Sequence, residues 1–321
     1  MGRRFLAALI VALEAFLLLL VAGVAGFTLG GASAPTMFLS IFTGSASVQR
    51  PGTTTAVAAH SGEGLEDGDT VATSAGGRAA ILYPDGSVTR LDVDTTVKVS
   101  ARRAAGGAVQ TSFQQSAGLT WNRVQRLVGL SSFKVSGPNS ASADVRGTTF
   151  GYYIEHDAAA RPVVWVDVYS GSVSVGGTGS SVLAGTGQRV TVRAGAPPTT
   201  PAPIPAGDFQ LSFTVLNQAL DALIGVPVAF ATGVLSTGGI SPSSSFNTKG
   251  SSGVQLVLAW PGSIFELSVI DPAGNQYARP SSSVPPLSLV LPQARAGTWT
   301  FTVRDVQSAL PETWWVVVGR R

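Results

Sequence analysis

The 321-residue sequence contains no cysteine and only two histidines, His60 and His156. The absence of cysteine excludes a disulfide framework, thiolate metal ligands and thiol catalysis. The two histidines do not form an H-x-x-x-H pair, and no phosphate-binding loop or G-x-S-x-G turn occurs. The sequence therefore predicts no catalytic residue, no metal site and no cofactor, and we do not expect an enzyme.

Charge is also scarce, since Asp, Glu, Lys and Arg together make up 12% of the chain. The formal net charge is +3, and two of the positive charges are Arg3 and Arg4. No run of basic residues interleaved with aromatics is present. Nucleic-acid binding is therefore not expected.

The longest apolar run lies at the N-terminus, at residues 5–31, which exceeds the ~20 residues that span a bilayer. Arg3 and Arg4 precede this run, and the next charge outside it is Arg50, so the positive-inside rule leaves residues 1–4 in the cytoplasm. We expect a single-pass anchor in the cell membrane with the bulk of the chain outside. Cleavage after Ala34, at the sequence ASA, would instead give a secreted protein. Glu14 within the run is either a contact for a partner helix or a carboxylate near the interface.

The rest of the chain has the composition of a mainly β protein, with 38 Gly and 19 Pro and short alternating runs. Residues 48–193 read as a β-domain in which Asp85-Gly86 closes a hairpin. A Pro-rich linker at 194–207 is expected to act as a semi-rigid spacer. Residues 208–321 then read as a β-sandwich-like domain with a short helical entry segment.

Four of the six tryptophans lie in this last segment. Trp260 and Trp299 are assigned to its core, because aromatic side chains bury large areas and favour strands. Trp314 and Trp315 are adjacent, so in a strand they point to opposite faces. We therefore expect one of them to be exposed and treat the pair as a candidate contact surface.

Several stretches between residues 48 and 193 resemble, in the right order, the FecR family of extracytoplasmic β-domains. They are LEDGDTVATSAGGRAAILYPDGSVTRL, GLTW, FKVSGPNSASADVRGTTF and VDVYSGSVSV. The matching positions, for which a structural role is expected, are Gly68, Asp69, Thr73, Gly77, Arg78, Asp85, Gly86, Ser87, Trp121, Arg146, Gly147, Thr148 and Gly171. The C-terminal stretches VQLVLAWPGSIFELSVIDPAGN and AGTWTFTV resemble jelly-roll modules of the pre-peptidase C-terminal type.

The sequence departs from the sigma-regulator members of the FecR family, which carry a helical anti-sigma domain before their membrane helix. Here only Met1–Arg4 precede the apolar run, so the resemblance implies an envelope β-domain for interaction and not sigma-factor control.

The Arg-Gly-Thr at 146–148 interrupts a strand pattern. Arg146 is expected to pair with Asp144 or Glu155 or with carbonyls at a corner, and the functional alternative is a cation that binds a carboxylate or phosphate.

Acidic residues cluster in EGLEDGDT, where turn-forming Asp and Gly explain them without calcium. The sequence thus predicts a non-catalytic, membrane-anchored envelope protein whose FecR-like domain binds another envelope protein or a ligand. The alternatives are a protein that binds a surface polysaccharide and a lateral regulator that acts through its membrane helix.

Overall fold

The structure is a computed structural model that describes residues 37–103, 108–127, 129, 131–250 and 253–321. The predicted membrane segment at 5–31, with Glu14, lies outside the described residues. Within them, no helix is both long enough and apolar enough to cross a bilayer.

Seventeen strands make up the first part of the described chain. They are β1 Met37–Thr43, β2 Ala46–Gln49, β3 Val57–Ala58, β4 Gly64–Leu65, β5 Thr70–Thr73, β6 Arg78–Leu82, β7 Val88–Leu91, β8 Thr96–Arg103, β9 Val109–Arg123, β10 Ser132–Ser136, β11 Ser142–Val145, β12 Thr149–His156, β13 Pro162–Ser170, β14 Ser172–Gly177, β15 Ser180–Gly185, β16 Gln188–Arg193 and β17 Ala202–Pro203. A 3-10 turn at Pro138–Ser140 joins β10 to β11. The predicted Asp85-Gly86 hairpin is confirmed, since β6 pairs with β7 around it.

These strands form two sheets that share β9. Sheet A has the order β4-β1-β6-β7-β9-β12-β13-β16-β17, and sheet B has the order β3-β2-β5-β8-β9-β10-β11-β14-β15. Strand β9 turns from sheet B into sheet A at Gly118, whose φ of +78° suits glycine. A Cβ at Gly118 would lie 2.3 Å from the Thr95 hydroxyl oxygen. The two sheets are therefore continuous through one bent strand.

The core between the two sheets follows from strict alternation along the strands. In β13, Val164, Val166 and Val168 are fully buried in this core. Trp165 and Asp167, at the intervening positions, lie on the opposite face of sheet A. That outer face carries large aromatic groups, and a second layer covers it.

The Pro-rich segment, predicted to be a semi-rigid spacer, packs against sheet A. Strand β17 pairs with β16, and the Thr199 N–H donates to the Thr191 carbonyl at 3.0 Å. Ile204 is buried, and its N–H donates to the Gly187 carbonyl at 2.9 Å. Through these backbone hydrogen bonds the segment packs at the edge of sheet A.

Nine further strands form a C-terminal sandwich, as predicted. They are β18 Val226–Leu235, β19 Ser244–Thr248, β20 Val254–Ala259, β21 Ile264–Ile270, β22 Gln276–Ala278, β23 Ser281–Ser282, β24 Leu287–Leu291, β25 Gly297–Gln307 and β26 Glu312–Arg320. Sheet C has the order β18-β26-β20-β24; sheet D has the order β19-β25-β21-β22, with β23 also on β21. Trp260 and Trp299 are 0% and 1% exposed in the core between them, which confirms their assignment.

A helix connects the two parts at the position where helical spacing was predicted. A 3-10 turn at Ala206–Gln210 leads into α1, Ser212–Ala222. Helix α1 buries residues on more than one side, among them Phe213 and, on the opposite side, Val215. An 11-residue helix is marginal alone in water, so its packing must hold it in place.

Candidate functional site

Helix α1 lies between the outer face of sheet A and the outer face of sheet C. We call this region the junction. Its apolar side chains form one cluster contributed by all three elements. From sheet A come Trp121 and Tyr153 with half-buried Trp165 and Tyr169; from α1 come Phe213, Val215, Leu216, Ala219 and Leu220; from sheet C come Val257, Ala259, Trp315 and Val317. The two β units are therefore joined by a continuous hydrophobic core.

Strand register places five directly paired residues in a row across the sheet A side of the junction. The Cα partners run from Arg90 to Trp121, from Trp121 to Gly151, and from Gly151 to Asp167. Asp167 in turn pairs with Arg189 on β16. Because residues directly opposite each other on neighbouring strands point to the same side of a sheet, these five positions share one face, the one away from the sheet A–sheet B core.

A buried ion pair fixes α1 to this row. Arg90 is 7% exposed, and its Nη1 lies 2.7 Å from Asp221 Oδ1 and 3.0 Å from Asn217 Oδ1. Burial lowers the pKa of Arg90, and the adjacent Asp221 carboxylate only partly opposes this effect. Desolvating a guanidinium is unfavourable, so Arg90 requires these two helix acceptors.

Trp121 contributes both a hydrogen bond and a stacking surface. Its indole Nε1 donates to Asp221 Oδ2 at 3.2 Å, and its ring stacks on Tyr169 with centroids 4.2 Å apart. Gly151 beside it leaves room for the Tyr153 ring, because a Cβ there would lie 2.2 Å from the Tyr153 phenol oxygen. That phenol is 2.9 Å from the Tyr169 phenol, and burial raises the pKa of Tyr169 to about 12.

Arg78 links sheet A directly to the C-terminal sandwich. Its Nε is 2.7 Å from Asp92 Oδ1, and its guanidinium carbon lies 5.4 Å from the Trp315 ring centroid. Burial raises the pKa of Asp92, although Arg78 opposes the shift. The Trp315 indole donates to the Ser212 hydroxyl at 2.9 Å. Arg78 and Trp315, both singled out from sequence, therefore meet at the junction.

Arg189 attaches the segment that leads into α1 to sheet A. It forms a two-pronged contact with fully buried Asp167, at 2.6 and 2.5 Å, and lies 2.5 Å from Asp208 in the 3-10 turn. Its guanidinium carbon is 4.6 Å from the centroid of Trp165. The turn before the helix is thus fixed by charge as well as by packing.

The remaining family positions at 68–77 serve turns and strand contacts in the first β unit. Buried Asp69 forms an ion pair with Arg50, and Gly68 has a φ of +91°. The Thr73 hydroxyl donates to the Asp92 carbonyl at 2.6 Å. Gly77 lies where a Cβ would be 2.1 Å from the Ser45 carbonyl oxygen.

The hairpin at 85–87 is closed by its own side chains. Asp85 Oδ1 accepts from the Ser87 N–H at 2.9 Å, and Gly86 has a φ of +81°. The buried Ser87 hydroxyl accepts from the Gln125 N–H at 3.1 Å. These residues hold the loop after β9 against the hairpin.

The Arg-Gly-Thr at 146–148 forms the corner between β11 and β12. Gly147 has a φ of +113°, and the Thr148 hydroxyl donates to the Ser172 carbonyl at 2.8 Å. Gly171 packs against this corner, where a Cβ would lie 2.8 Å from the Gly147 carbonyl oxygen. The glycines and Thr148 are structural, as the resemblance implies.

The predicted pairing of Arg146 is wrong. Arg146 is exposed, and Asp144 pairs instead with Lys134 at 3.4 Å. Neither the Asp144 nor the Glu155 contact forms among the described residues. The side chain points outward at the corner, since Val145 before it is buried in the core.

The predicted exposure of Trp314 or Trp315 is also wrong, since they are 3% and 2% exposed. They do point to opposite faces, but both faces of sheet C are covered. Trp314 packs in the sandwich core, and Trp315 packs in the junction. Neither indole forms a contact surface for an external ligand.

Two carboxylates of the acidic cluster EGLEDGDT pair with one arginine. Arg50 contacts Glu63 at 3.0 Å and also pairs with Asp69. Among the described residues, no group of His, Cys, Asp and Glu has the arrangement of a metal site. The clustered carboxylates thus have a cationic partner in the fold.

Sequence reasoning missed Arg90, Asp221, Asp167 and Arg189. A usable signal was present, because Trp121, Tyr153, Trp165 and Tyr169 all fall on strand positions that should face solvent in a two-layer domain. Large side chains on both faces indicate a sheet covered on both sides. The identity of the covering element could not be predicted, because its polar contacts with Arg90 and Trp121 join residues 100 to 131 positions apart.

Part of the first β unit matches a known protein family. Residues 69–174 match the model of the family described as FecR protein. The FecR resemblance is confirmed over these residues. We call residues 69–174 the FecR segment; it includes Arg78, Arg90 and Trp121 of the junction. No curated protein sequence matches the chain.

Two crystal structures of a candidate anti-sigma factor from Parabacteroides distasonis ATCC 8503 are similar to the chain. The one at 2.50 Å resolution is 18% identical, with 48% of this chain aligned to 64% of that chain and a TM-score of 0.36. The one at 1.65 Å resolution is 18% identical, with 49% aligned to 68% and a TM-score of 0.37. The chain thus spans less than two thirds of the first of these proteins.

Proposed function

We propose that the chain is a non-catalytic envelope protein, anchored by residues 5–31, that presents the FecR segment and the C-terminal sandwich outside the membrane to bind another envelope protein. The FecR match at residues 69–174 carries this proposal. The junction supports it, because Arg90 and Trp121 of the FecR segment hold α1, and Arg78 contacts the C-terminal sandwich, instead of lining an open cleft.

The proposed contact for the partner is the outer edge of β18. Among the described residues, β18 pairs only with β26. It exposes Val226, Val228 and Val234 at 47%, 45% and 61%. An unpaired strand edge accepts an extended segment by main-chain hydrogen bonding.

Charge selects the type of segment that would bind there. No Asp, Glu, Lys, Arg or His occurs between Ala222 and Asn247. An uncharged, β-branched extended segment therefore fits this edge without leaving an unpaired charge.

The test is quantitative co-purification of tagged, full-length protein from native membranes in mild detergent. We expect a near-stoichiometric partner whose recovery falls about tenfold in the double variant Val228→Lys, Val234→Lys, because edge lysines block strand addition. Leu310→Lys, at a site 66% exposed outside the strands, is the matched control. Unaccompanied wild-type protein, or equal recovery in both variants, would contradict the proposal.

The polysaccharide-binding and lateral-regulator alternatives differ in what supports them. The polysaccharide alternative was based on an exposed Trp314 or Trp315, and both are buried. The lateral regulator stays a prediction, because Glu14 lies outside the described residues. A Glu14→Leu variant that retains every complex would contradict it.

A further inference from the structure

Three exposed arginines at one end of the first β unit remain without a role. Arg123 ends β9, Arg126 follows it, and Arg146 stands at the corner before β12. We call these three residues the basic corner. None of their side chains forms a hydrogen bond or an ion pair within the described part of the chain.

The backbone brings the three arginines together. Val124 and Thr148 exchange two backbone hydrogen bonds, at 2.9 and 3.2 Å, which join the two segments. A Cβ on Gly147 would lie 3.0 Å from the Arg126 Cα. The close approach allowed by this glycine places Arg126 against the backbone of the residue that follows Arg146.

Three acidic groups lie near the basic corner, and each is engaged elsewhere. Asp85, in the neighbouring hairpin, accepts from the Ser87 N–H at 2.9 Å. Asp144 pairs with Lys134 at 3.4 Å. Arg123 is close enough to Arg90 to affect its pKa, and Arg90 pairs with Asp221 at 2.7 Å. With Lys134 and Arg90 counted, five cations face three carboxylates, so this end of the molecule has a positive potential.

Strand register shows that the chain enters sheet A at this same end. Phe38 of β1 pairs with Leu82, Leu82 with Val88, and Val88 with Arg123. Neighbouring strands are about 4.8 Å apart, so Phe38 and Arg123 are separated by roughly 14 Å. The end of sheet A that carries the basic corner is therefore the end nearest to residues 5–31.

The length of the connecting chain limits how far this end can be from a membrane. If residues 5–31 span the bilayer, the six peptide steps from Gly31 to Met37 reach at most about 20 Å. Arginine side chains are long and extend toward a headgroup layer while their stems stay on the protein.

We propose that the basic corner binds the anionic phospholipid headgroups of the membrane that holds residues 5–31. This inference rests on the membrane anchor of the proposed function. Guanidinium groups bind phosphate through paired N–H donors, and each basic residue close to an anionic surface favours contact by about fivefold. Anionic lipid would thus set the orientation of the β units relative to the membrane.

The test uses full-length protein in nanodiscs of phosphatidylcholine alone or mixed with phosphatidylglycerol. Amide hydrogen exchange is measured for peptides that cover residues 123–127 and 145–149. We expect exchange in these peptides to slow at least fivefold in the anionic discs. The triple variant Arg123→Gln, Arg126→Gln, Arg146→Gln should abolish the difference.

The control is a triple variant with the same change in charge, Arg161→Gln, Arg279→Gln, Arg295→Gln. These side chains are 70%, 50% and 76% exposed, and Arg161 lies at the opposite end of sheet A. The control should keep the full response to anionic lipid. Equal losses in both variants would show a general charge effect and overturn the proposal.

Other outcomes separate the two proposals. Full-length protein that does not enter the discs overturns the anchor, and with it this inference. Protein that enters but shows no lipid dependence overturns only the inference. Loss of protection with 10 mM inorganic phosphate, or protection in neutral discs on addition of an acidic peptide, would assign the corner to a free anion or to a protein and not to lipid.

Discussion

Gly77 illustrates at the residue scale why family positions in this chain serve packing. It lies in the turn immediately before β6, in close contact with the Ser45 carbonyl. A Cβ at Gly77 would lie 2.1 Å from that oxygen, whereas a Cβ at neighbouring Gly76 would meet nothing within 4 Å. Two adjacent glycines therefore have different roles.

We predict that Gly77→Ala destabilises the protein by about 2–3 kcal/mol, because backbone must move to relieve the clash. Gly76→Ala should change stability little, and it is the matched control. Thermal unfolding followed by tryptophan fluorescence measures both. A Gly77→Ala protein as stable as Gly76→Ala would show that the turn adapts freely and would contradict the packing role.

At the element scale, the attachment of α1 depends on a charge that the protein has removed from water. Arg90 has helix acceptors on Asp221 and Asn217, and Trp121 shares the Asp221 carboxylate. Removing one member of a buried pair leaves the other charge without compensation.

We predict that Asp221→Ala lowers the free energy of unfolding by about 2–3 kcal/mol, less than for a fully buried pair because Asp221 is partly exposed. The double variant Arg90→Met, Asp221→Ala should recover about half of this loss, since no buried charge is then left unpaired. Chemical denaturation of the single and double variants measures the coupling.

The control for this pair is Arg161→Ala. It removes the Arg161–Asp157 contact, which at 2.8 Å is nearly as short but has a 70% exposed arginine side chain. Exposed pairs contribute little, so its stability should stay close to wild type. Additive effects in the double variant would argue against direct coupling between Arg90 and Asp221.

At the scale of the whole molecule, the junction makes two β units behave as one. Its apolar cluster is continuous from Trp121 through Phe213 to Trp315. Unfolding either unit would expose this shared surface, which couples their stabilities.

We therefore predict a single cooperative transition for the wild-type protein in differential scanning calorimetry. Phe213→Ala, which removes a 3% exposed ring from α1, should separate it into two transitions and increase proteolysis in residues 194–211. Leu310→Ala, at a 66% exposed site, is the control and should keep one transition. Two transitions in the wild type would mean that the junction does not couple the units.

Much of this architecture could be predicted from the sequence, because strand and turn signals are local. Alternation in β13, the Asp85-Gly86 hairpin and the helical spacing after residue 208 each depend on a few neighbouring residues. The motif order over the FecR segment also needed no structure. The pairing of Arg146 was predicted wrongly, because alternation gives the face of a side chain but not the position of its partner.

The prediction that Trp314 or Trp315 is exposed was wrong for a related reason. Adjacent residues of a strand point to opposite faces of the sheet, and the sequence alone was sufficient to predict this. In the structure Trp314 and Trp315 do point to opposite faces. Whether the second face meets water depended on α1 and on sheet A, which lie far away along the chain. Local sequence thus determined the turns, the helix and most strands of each unit, but not β1 at Met37–Thr43, which precedes the predicted domain start at residue 48. Only the tertiary structure decided that the outer face of sheet A is a buried junction, because this depends on the packing of α1 and sheet C. It also decided that the basic corner shares an end with the start of β1, because this depends on register summed across strands distant in sequence.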